Sequence, residues 1–325
     1  MALKGKKIFL AGATGLAGAS IMARLTESYP ETKIRAVWHR REPFLQHENV
    51  EYVRGDLTSR EECRRMVRGC DAAILAAATT GGAQMANSVP WEQVSDNVVM
   101  DVQMLHALHL EGVPRAVFVS TASVYQNFSG AIREDDLDWN QDPHAAHFGV
   151  GWAKRYVEKL CRFWYEKTGL EVLVARSANI YGPFAKFDPA VSNFVPALIR
   201  KVADKSDPFE VWGSPGVARD IIYGEDFARA IVLMLDDERL KFDIFNVGSG
   251  VTTTVGQVVE WSLKYADYHP RRIDYRDDKP VTIPSRSLDC SRIKEQLGWE
   301  ARCPAEEGIG RTMEWWQNNR NWWDK

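Results

Sequence analysis

The feature that most constrains this chain is an alternation. Six short, nearly continuous apolar runs recur along its first half: "KKIFLAG" (6–12), "KIRAVWH" (33–39), "VEYVRGDL" (50–57), "CDAAILAAA" (70–78), "RAVFVSTAS" (115–123) and "LEVLVARSANIYG" (170–182). Between them lie segments with helical spacing, among them "LAGASIMARLTES", "REECRRMVRG", "WEQVSDNVVMDVQMLHALHLEG" and "WAKRYVEKLCRFWYEKTG". A strand that is apolar at every position must be covered on both faces, and strictly alternating strands and helices do this with a parallel sheet between two helical layers. The reading is therefore an α/β fold with a doubly wound parallel sheet. Such sheets bind ligands at the carboxyl ends of their strands. From residue 183 the pattern loosens into prolines, glycines and short elements. We divide the chain into a dinucleotide-binding domain, 1–182, and a smaller lobe, 183–325, that is mainly substrate-binding and leaves room for segments returning to the sheet. The Trp-rich tail "TMEWWQNNRNWWDK" reads as a C-terminal helix docking its aromatics.

Composition removes several classes. The 325 residues are 45% hydrophobic and 26% charged, which suits a soluble globular protein. The formal net charge of −3, with no long run of one sign, argues against nucleic acid or an anionic membrane as partner. No apolar run approaches the ~20 residues of a membrane span. The start, "MALKGKKIFLAGATG", reads as a first strand and its turn rather than a signal peptide. Five cysteines (63, 70, 161, 290, 303) show no CxxC pair and no metal-ligand spacing with histidine, so we expect reduced thiols in the cytoplasm and no metal.

"AGATGLAG" sets glycines at 12, 15 and 18, directly after the first strand and before a helix. Gly12 permits the tight turn, Gly15 lets backbone approach a pyrophosphate, and Gly18 lets the helix pack on the strand. The helix N-terminus brings unpaired N–H groups and partial positive charge to the phosphates. This is a Rossmann-type nucleotide turn. An acid closing the second strand would hold a ribose 2′-hydroxyl, yet His39, Arg40 and Arg41 stand there. Guanidinium groups suit a 2′-phosphate, so the sequence favours NADP, with NAD as the alternative.

Together with that turn, "GDL" (55–57), "AAA" (76–78), "VFVSTASVY" (117–125), "WAK" and "NIYGP" occur in the order and spacing of the extended short-chain dehydrogenase/reductases, which the chain resembles nearly end to end. Within that family it is most similar to the GDP-fucose synthase branch, on "AAATTGG" (76–82), "NFVPALIRK" (193–201), "VWGSPGVARDIIYGEDFA" (211–228) and "KPVTIPSRSLDCSRIKEQLGW" (279–299). The resemblance implies a cofactor held by Gly12, Thr14, Gly15, Leu16, Gly18, His39, Arg40, Arg41, Asp56, Leu57, Ala76, Ala77, Ala78, Lys154, Asn179 and Ile180. It implies a nucleotide-diphosphate sugar, with a GDP-sugar favoured, held by Thr80, Gly81, Asn193, Trp212, Arg219 and Arg286. It also implies a homodimer joined through the helices at 92–111 and 151–168, whose Met100, Met104, Phe163 and Trp164 exceed one core-facing stripe.

The family's chemistry uses a hydroxyl, a tyrosine and a lysine. The tyrosine exchanges a proton with the sugar hydroxyl as hydride moves, and the lysine one helical turn on lowers the phenol's pKa and binds the nicotinamide ribose. The hydroxyl matches Thr121, with Ser123 beside it, and the lysine matches Lys154. The tyrosine position, in "HFGVGWAK" (147–154), is Val150, which can neither ionise nor hydrogen-bond. His144 and His147 lie just before this helix and titrate in a useful range, but read first as loop histidines. Tyr156 falls on another helix face, and Tyr125 has a structural counterpart in the family. By the same resemblance, dehydration would need Asp-Glu where Ala122 and Ser123 stand, and double epimerisation a cysteine and a histidine where Ser123 and Asn193 stand. What remains is 4-epimerisation or 4-keto reduction, in a form impaired at Val150. A pseudoenzyme that binds the same ligands and a GDP-fucose-synthase-like epimerase/reductase are the alternatives.

Overall fold

The computed structural model describes residues 3–81, 90–188, 191–276 and 285–323. In chain order the main elements are β1 (Lys7–Ala11), α1 (Leu16–Ser28), β2 (Lys33–Trp38), β3 (Val50–Arg54), α2 (Arg60–Val67), β4 (Ala72–Leu75), α3 (Pro90–Leu110), β5 (Arg115–Thr121), β6 (Gly130–Ile132), α4 (Phe148–Thr168), β7 (Glu171–Ser177) and β8 (Asn179–Tyr181). The second half adds α5 (Phe194–Ala203), β9 (Phe209–Trp212), β10 (Ala218–Tyr223), α6 (Gly224–Asp236), β11 (Phe242–Val247), β12 (Thr252–Thr254), α7 (Val255–Tyr265), β13 (Ile273–Arg276), β14 (Arg286–Leu288), α8 (Ser291–Leu297) and α9 (Ala305–Trp323).

Seven parallel strands form the main sheet in the order β11-β7-β5-β4-β1-β2-β3. The chain runs outward from β1 through β3 and then crosses back to β4, so strand order reverses between β1 and β4, where such folds open a ligand crevice. The apolar runs split by alternate residues, as strand geometry requires. Ile8 and Leu10 join Ile21, Phe227 and Ile231 on one face, while Phe9 and Ala11 join Met66, Leu105 and Val157 on the other. Each such side chain, fully buried, contributes ~1.5–3 kcal/mol, which is why both faces must be covered.

The sixth apolar run is two strands, not one. β7 ends at Ser177, the Ala178 amide donates to the Val247 carbonyl at 2.9 Å, and β8 leaves the main sheet to pair with β10. The sheet's seventh strand, β11, comes from the second half of the chain, and α6 packs beside α1 on the same layer. A second sheet, β12-β10-β14-β6 with β8 on β10, and the pair β13-β9 build the lobe. Its core joins Val195, Leu198, Phe209 and Ile309 to Trp316, which stacks on Phe187 at 4.3 Å between centroids. That is where the Trp-rich tail docks. Among the predicted dimer residues, Met104 is core and only 2% exposed, and Trp164 stacks against His106, whereas Phe163 is 48% exposed. Helical spacing alone could not tell α3's inner face from its outer one. No helix among the described residues is long and apolar enough to cross a membrane.

Candidate active site

Because all seven strands run one way, their C-terminal loops share one edge: Gly12–Gly15, residues 39–41, residues 55–57, residues 76–81, Thr121–Ser123 and residues 177–179. The glycine turn has the geometry its sequence implies. Gly12 has φ +78°, and a Cβ there would lie 2.7 Å from Ala77 Cα. A Cβ on Gly18 would lie 2.1 Å from the Gly12 carbonyl oxygen, so α1 reaches β1 only with glycine at that point. The first turn of α1 carries no acidic residue, and its N-cap, Gly15, offers no side chain to compete for the free N–H groups. Such a cradle fits a pyrophosphate. Thr14 and Leu16 flank it, and Ala76 and Ala77 are half-buried at the end of β4.

At the far end of the crevice, His39 and Arg40 are exposed and their positive charges help hold the Asp56 carboxyl below its ordinary range, behind the hydrogen bonds it accepts from Thr58. Leu57 beside it is buried. Arg41 is half-buried; burial lowers its pKa, opposed by Asp188 of the lobe. The same loop is held to the lobe by Phe44, whose ring lies 5.7 Å from Phe184 and 5.5 Å from Trp315. Lys186 crosses to donate to the Thr80 carbonyl at 2.7 Å, beside Gly81. The lobe thus meets the sheet's loops on both sides of the crevice.

Thr121, the hydroxyl singled out in the sequence, ends β5. Thr121 Oγ1 accepts from the Ser123 amide at 3.2 Å and lies 3.3 Å from the Ser123 hydroxyl. Helix α4 approaches this turn so closely that a Cβ on Gly151 would sit 2.6 Å from the Ser123 carbonyl oxygen. Val150 is half-buried one turn before Lys154, which is 7% exposed. The ammonium of Lys154 donates to Asp101 Oδ2 at 2.8 Å and to the Val119 carbonyl at 3.4 Å, and sits 4.4 Å from the centroid of the Phe118 ring. Burial pushes the Asp101 carboxyl up, and Lys154 pulls it back. One turn on from Lys154, Glu158 pairs with Arg176 of β7 at 2.7 Å and accepts from Ser120 at 2.6 Å. Arg176 also donates to the Tyr125 hydroxyl, which in turn donates to Asn246 at 2.6 Å. Tyr125 is fully buried in this network, with its phenol pushed far above its ordinary range by burial, and is structural.

The lobe brings two arginines together. Arg219 and Arg286 are register partners on β10 and β14. Asp220, between them and the β11 loop, accepts from the Ser249, Gly250 and Leu288 amides and fixes both strands. Burial, then Arg219, lowers the Arg286 guanidinium to about 10, and its Nη1 is buried with no hydrogen-bond partner among the described residues. Asn193 is exposed at the N-cap of α5 without capping it, Trp212 is 42% exposed at the end of β9, and Asn179 donates to the Asp220 carbonyl, with Ile180 beside it on β8. His147, set aside in the sequence as a loop residue, is half-buried at the N-cap of α4. Its ring is lowered to about 4, by burial first and then by Arg286, His144 and Arg219.

Residues 8–248 match the NAD dependent epimerase/dehydratase family. The chain belongs to this family, the extended short-chain dehydrogenase/reductases. It is 27% identical over 98% of its length to a probable GDP-L-fucose synthase of Oryza sativa subsp. japonica, covering 94% of that protein. It is 26% identical to the dTDP-4-dehydro-6-deoxy-D-allose reductase of Streptomyces bikiniensis, with 97% of each chain covered. Among solved structures, the UDP-glucose 4-epimerase of Thermotoga maritima with UDP-glucose superposes with a TM-score of 0.84 at 22% identity, over 97% of this chain and 99% of that one. MoeE5 in complex with UDP-glucose and NAD superposes with a TM-score of 0.82 at 24% identity, over 97% and 99%.

Asp101 was missed in the sequence, although a lone acid inside the apolar stretch "NVVMDVQML" was its signal. Among the described residues no cluster of His, Cys, Asp or Glu could hold a metal ion, and the five thiols are unpaired. Removing one member of a buried ion pair strands the other charge, at a cost of about 3–5 kcal/mol, whereas replacing both with apolar groups is often neutral. Urea denaturation should therefore show Asp101→Ala strongly destabilised and the Asp101→Leu/Lys154→Met double variant close to the parent. Equal losses in both would show that the pair is not the anchor described.

Proposed function

We propose that this protein is an NADP-dependent nucleotide-sugar 4-epimerase or 4-ketoreductase scaffold whose proton-transfer step is impaired at Val150. The observation that supports the reading is Lys154, buried against Asp101 with valine one turn before it, on a chain that also carries the glycine turn before α1, Thr121 at the end of β5 and the register-paired Arg219 and Arg286. When bound, the nicotinamide supplies hydride exchange at C4. The chain's own part is to seat the pyrophosphate on α1, to hold a ribose with Lys154, to hydrogen-bond the reacting sugar oxygen with Thr121, and to hold the diphosphate with the two arginines and Asn193. The GDP-L-fucose synthase and dTDP-sugar reductase relatives favour a nucleotide sugar, and the former a GDP-sugar. Ala122 and Ser123 supply no acid for dehydration, and neither Ser123 nor Asn193 replaces the cysteine and histidine of a double epimerase. Val150 equally supports a second reading, a pseudoenzyme that binds both ligands and signals through them. Five unpaired thiols fit a reducing, cytoplasmic setting.

Binding separates these from unrelated readings. Ligand stabilises the folded state by mass action. NADPH should raise the melting temperature more than NADH, and one class among GDP-, UDP- and dTDP-sugars should add to it. Substituting Arg40→Ala and Arg41→Ala together should remove most of the NADPH shift and little of the NADH shift. Tighter NADH binding, or equal losses, would overturn the cofactor assignment.

A homodimer is part of the same proposal. Trp91 and Val99 on α3, and Phe148, Tyr156 and Phe163 on α4, are each at least 41% exposed on two helices that pack side by side. Paired across a two-fold axis, these helices make a four-helix bundle that covers them. Sedimentation at micromolar concentration should show the dimer, and Phe163→Glu should shift it to monomer. A native monomer would refute the assignment.

A further inference from the structure

We propose that Lys186 is a phosphate ligand for the dinucleotide, carried over the cofactor crevice by the lobe segment at 183–188. The inference rests on the reading that the glycine turn seats a nicotinamide dinucleotide, and it adds to that site a residue from the other half of the chain. The segment follows β8, and its side chains take opposite directions. Ala185 and Phe187 are buried in the lobe core, where Phe187 stacks on Trp316 at 4.3 Å. Phe184 and Lys186 instead reach the loops of the main sheet. The Phe184 ring lies 5.7 Å from that of Phe44, three residues beyond Arg41. Lys186 Nζ donates to the Thr80 carbonyl at 2.7 Å and to the Thr80 hydroxyl at 3.3 Å.

Those two loops flank the glycine turn. Thr80 lies three residues beyond Ala77, whose Cα would be 2.7 Å from a Cβ on Gly12. Its loop is fixed from behind, because Asn97 of α3 accepts from the Thr79 amide at 2.7 Å and donates to the Thr79 carbonyl at 3.1 Å. Phe44 is held by Phe184 and, at 5.5 Å, by Trp315 of α9. The segment therefore spans from the β4 loop to the β2 loop on anchored supports. Phe184 has φ +67°, a left-handed backbone that a bulky side chain adopts only where its surroundings impose it, and such positions gather at ligand clamps. The lysine beside it has an incomplete set of partners. Among the described residues, both oxygens that it meets are neutral, no carboxylate pairs with it, and the charge that acts on it is Arg41, another cation. A half-buried ammonium without a counter-ion is costly until an anion completes it. A dinucleotide brings phosphate to this crevice twice, as the pyrophosphate on α1 and, in NADP, as the 2′-phosphate beside Arg41.

The test is equilibrium titration of the full chain with NADPH and with NADH, at low and high salt, read by nicotinamide fluorescence. Lys186→Met should weaken at least one dinucleotide on the order of tenfold at low salt. Lys186→Arg should restore most of that affinity, and the difference between native and Lys186→Met should shrink at high salt, where the lost charge is screened. A loss confined to NADPH assigns the ammonium to the 2′-phosphate, and an equal loss for both dinucleotides assigns it to the pyrophosphate. A segment that only ties the lobe down would give a salt-independent loss that Lys186→Arg does not restore, and that result overturns the proposal. Unchanged affinity of Lys186→Met for both dinucleotides overturns it as well. Lys186→Gln serves as the second variant if Lys186→Met does not fold, which its melting temperature without ligand reports. If the native chain binds neither dinucleotide, the cofactor reading itself fails and this inference falls with it. Native binding that Lys186→Met leaves intact keeps that reading standing and rejects only Lys186.

Discussion

The parallel register of the seven-stranded sheet is the constraint on which everything else depends. A strand pair such as β5 and β7, matched from Arg115 with Glu171 to Thr121 with Ser177, brings every strand's C-terminal end to one edge. Residues more than a hundred positions apart in sequence then meet without specific steering. The reversal between β1 and β4 opens that edge, and the β8–β10 pairing swings the lobe's Arg219 and Arg286 over it. One topological fact thus positions the glycine turn, the end of β5 and the arginines of the lobe.

Polar groups buried at this edge are held by pairing. Lys154 with Asp101, and Glu158 with Arg176, lie one turn apart on the inner face of α4, each at most 8% exposed in its side chains. Burial alone would drive such charges toward neutrality. The charge-assisted hydrogen bonds across each pair offset that cost and fix the geometry, so Lys154 is held in one orientation. The basic end is built differently. No acidic group acts on Arg286 or His147, and burial first, then neighbouring basic groups, lowers the pKa of both.

Much of this was legible in the sequence, and particular residues show why the rest was not. The glycines at 12 and 18 announce their turn because a backbone that tight admits little else at those two positions. The apolar strands announce the parallel sheet because burial on both faces leaves no polar alternate. The run at 170–182 hid a change of sheet, since apolar content is the same in β7 and β8 and only the partner differs. β11 was hidden because it follows a helix within the loosely patterned half. Met104 looked like surface because helical spacing gives faces but not which one is covered. Asp101 depends on a contact with α4, which no local spacing encodes.

Under the proposed function, Val150 is where the family's chemistry and this chain part: Thr121 and Lys154 would keep their roles, while the position one turn before the lysine carries no ionisable group. A positioned acid/base is worth ~10²–10⁴-fold in rate. The most direct measurement is a single-turnover assay with bound NADP(H) and a panel of nucleotide sugars, comparing the native chain with Val150→Tyr. The account predicts a gain of ~10²-fold or more in the variant at unchanged nucleotide-sugar affinity. A native chain that turns over as fast as Val150→Tyr would contradict it, because another group would then be carrying the proton.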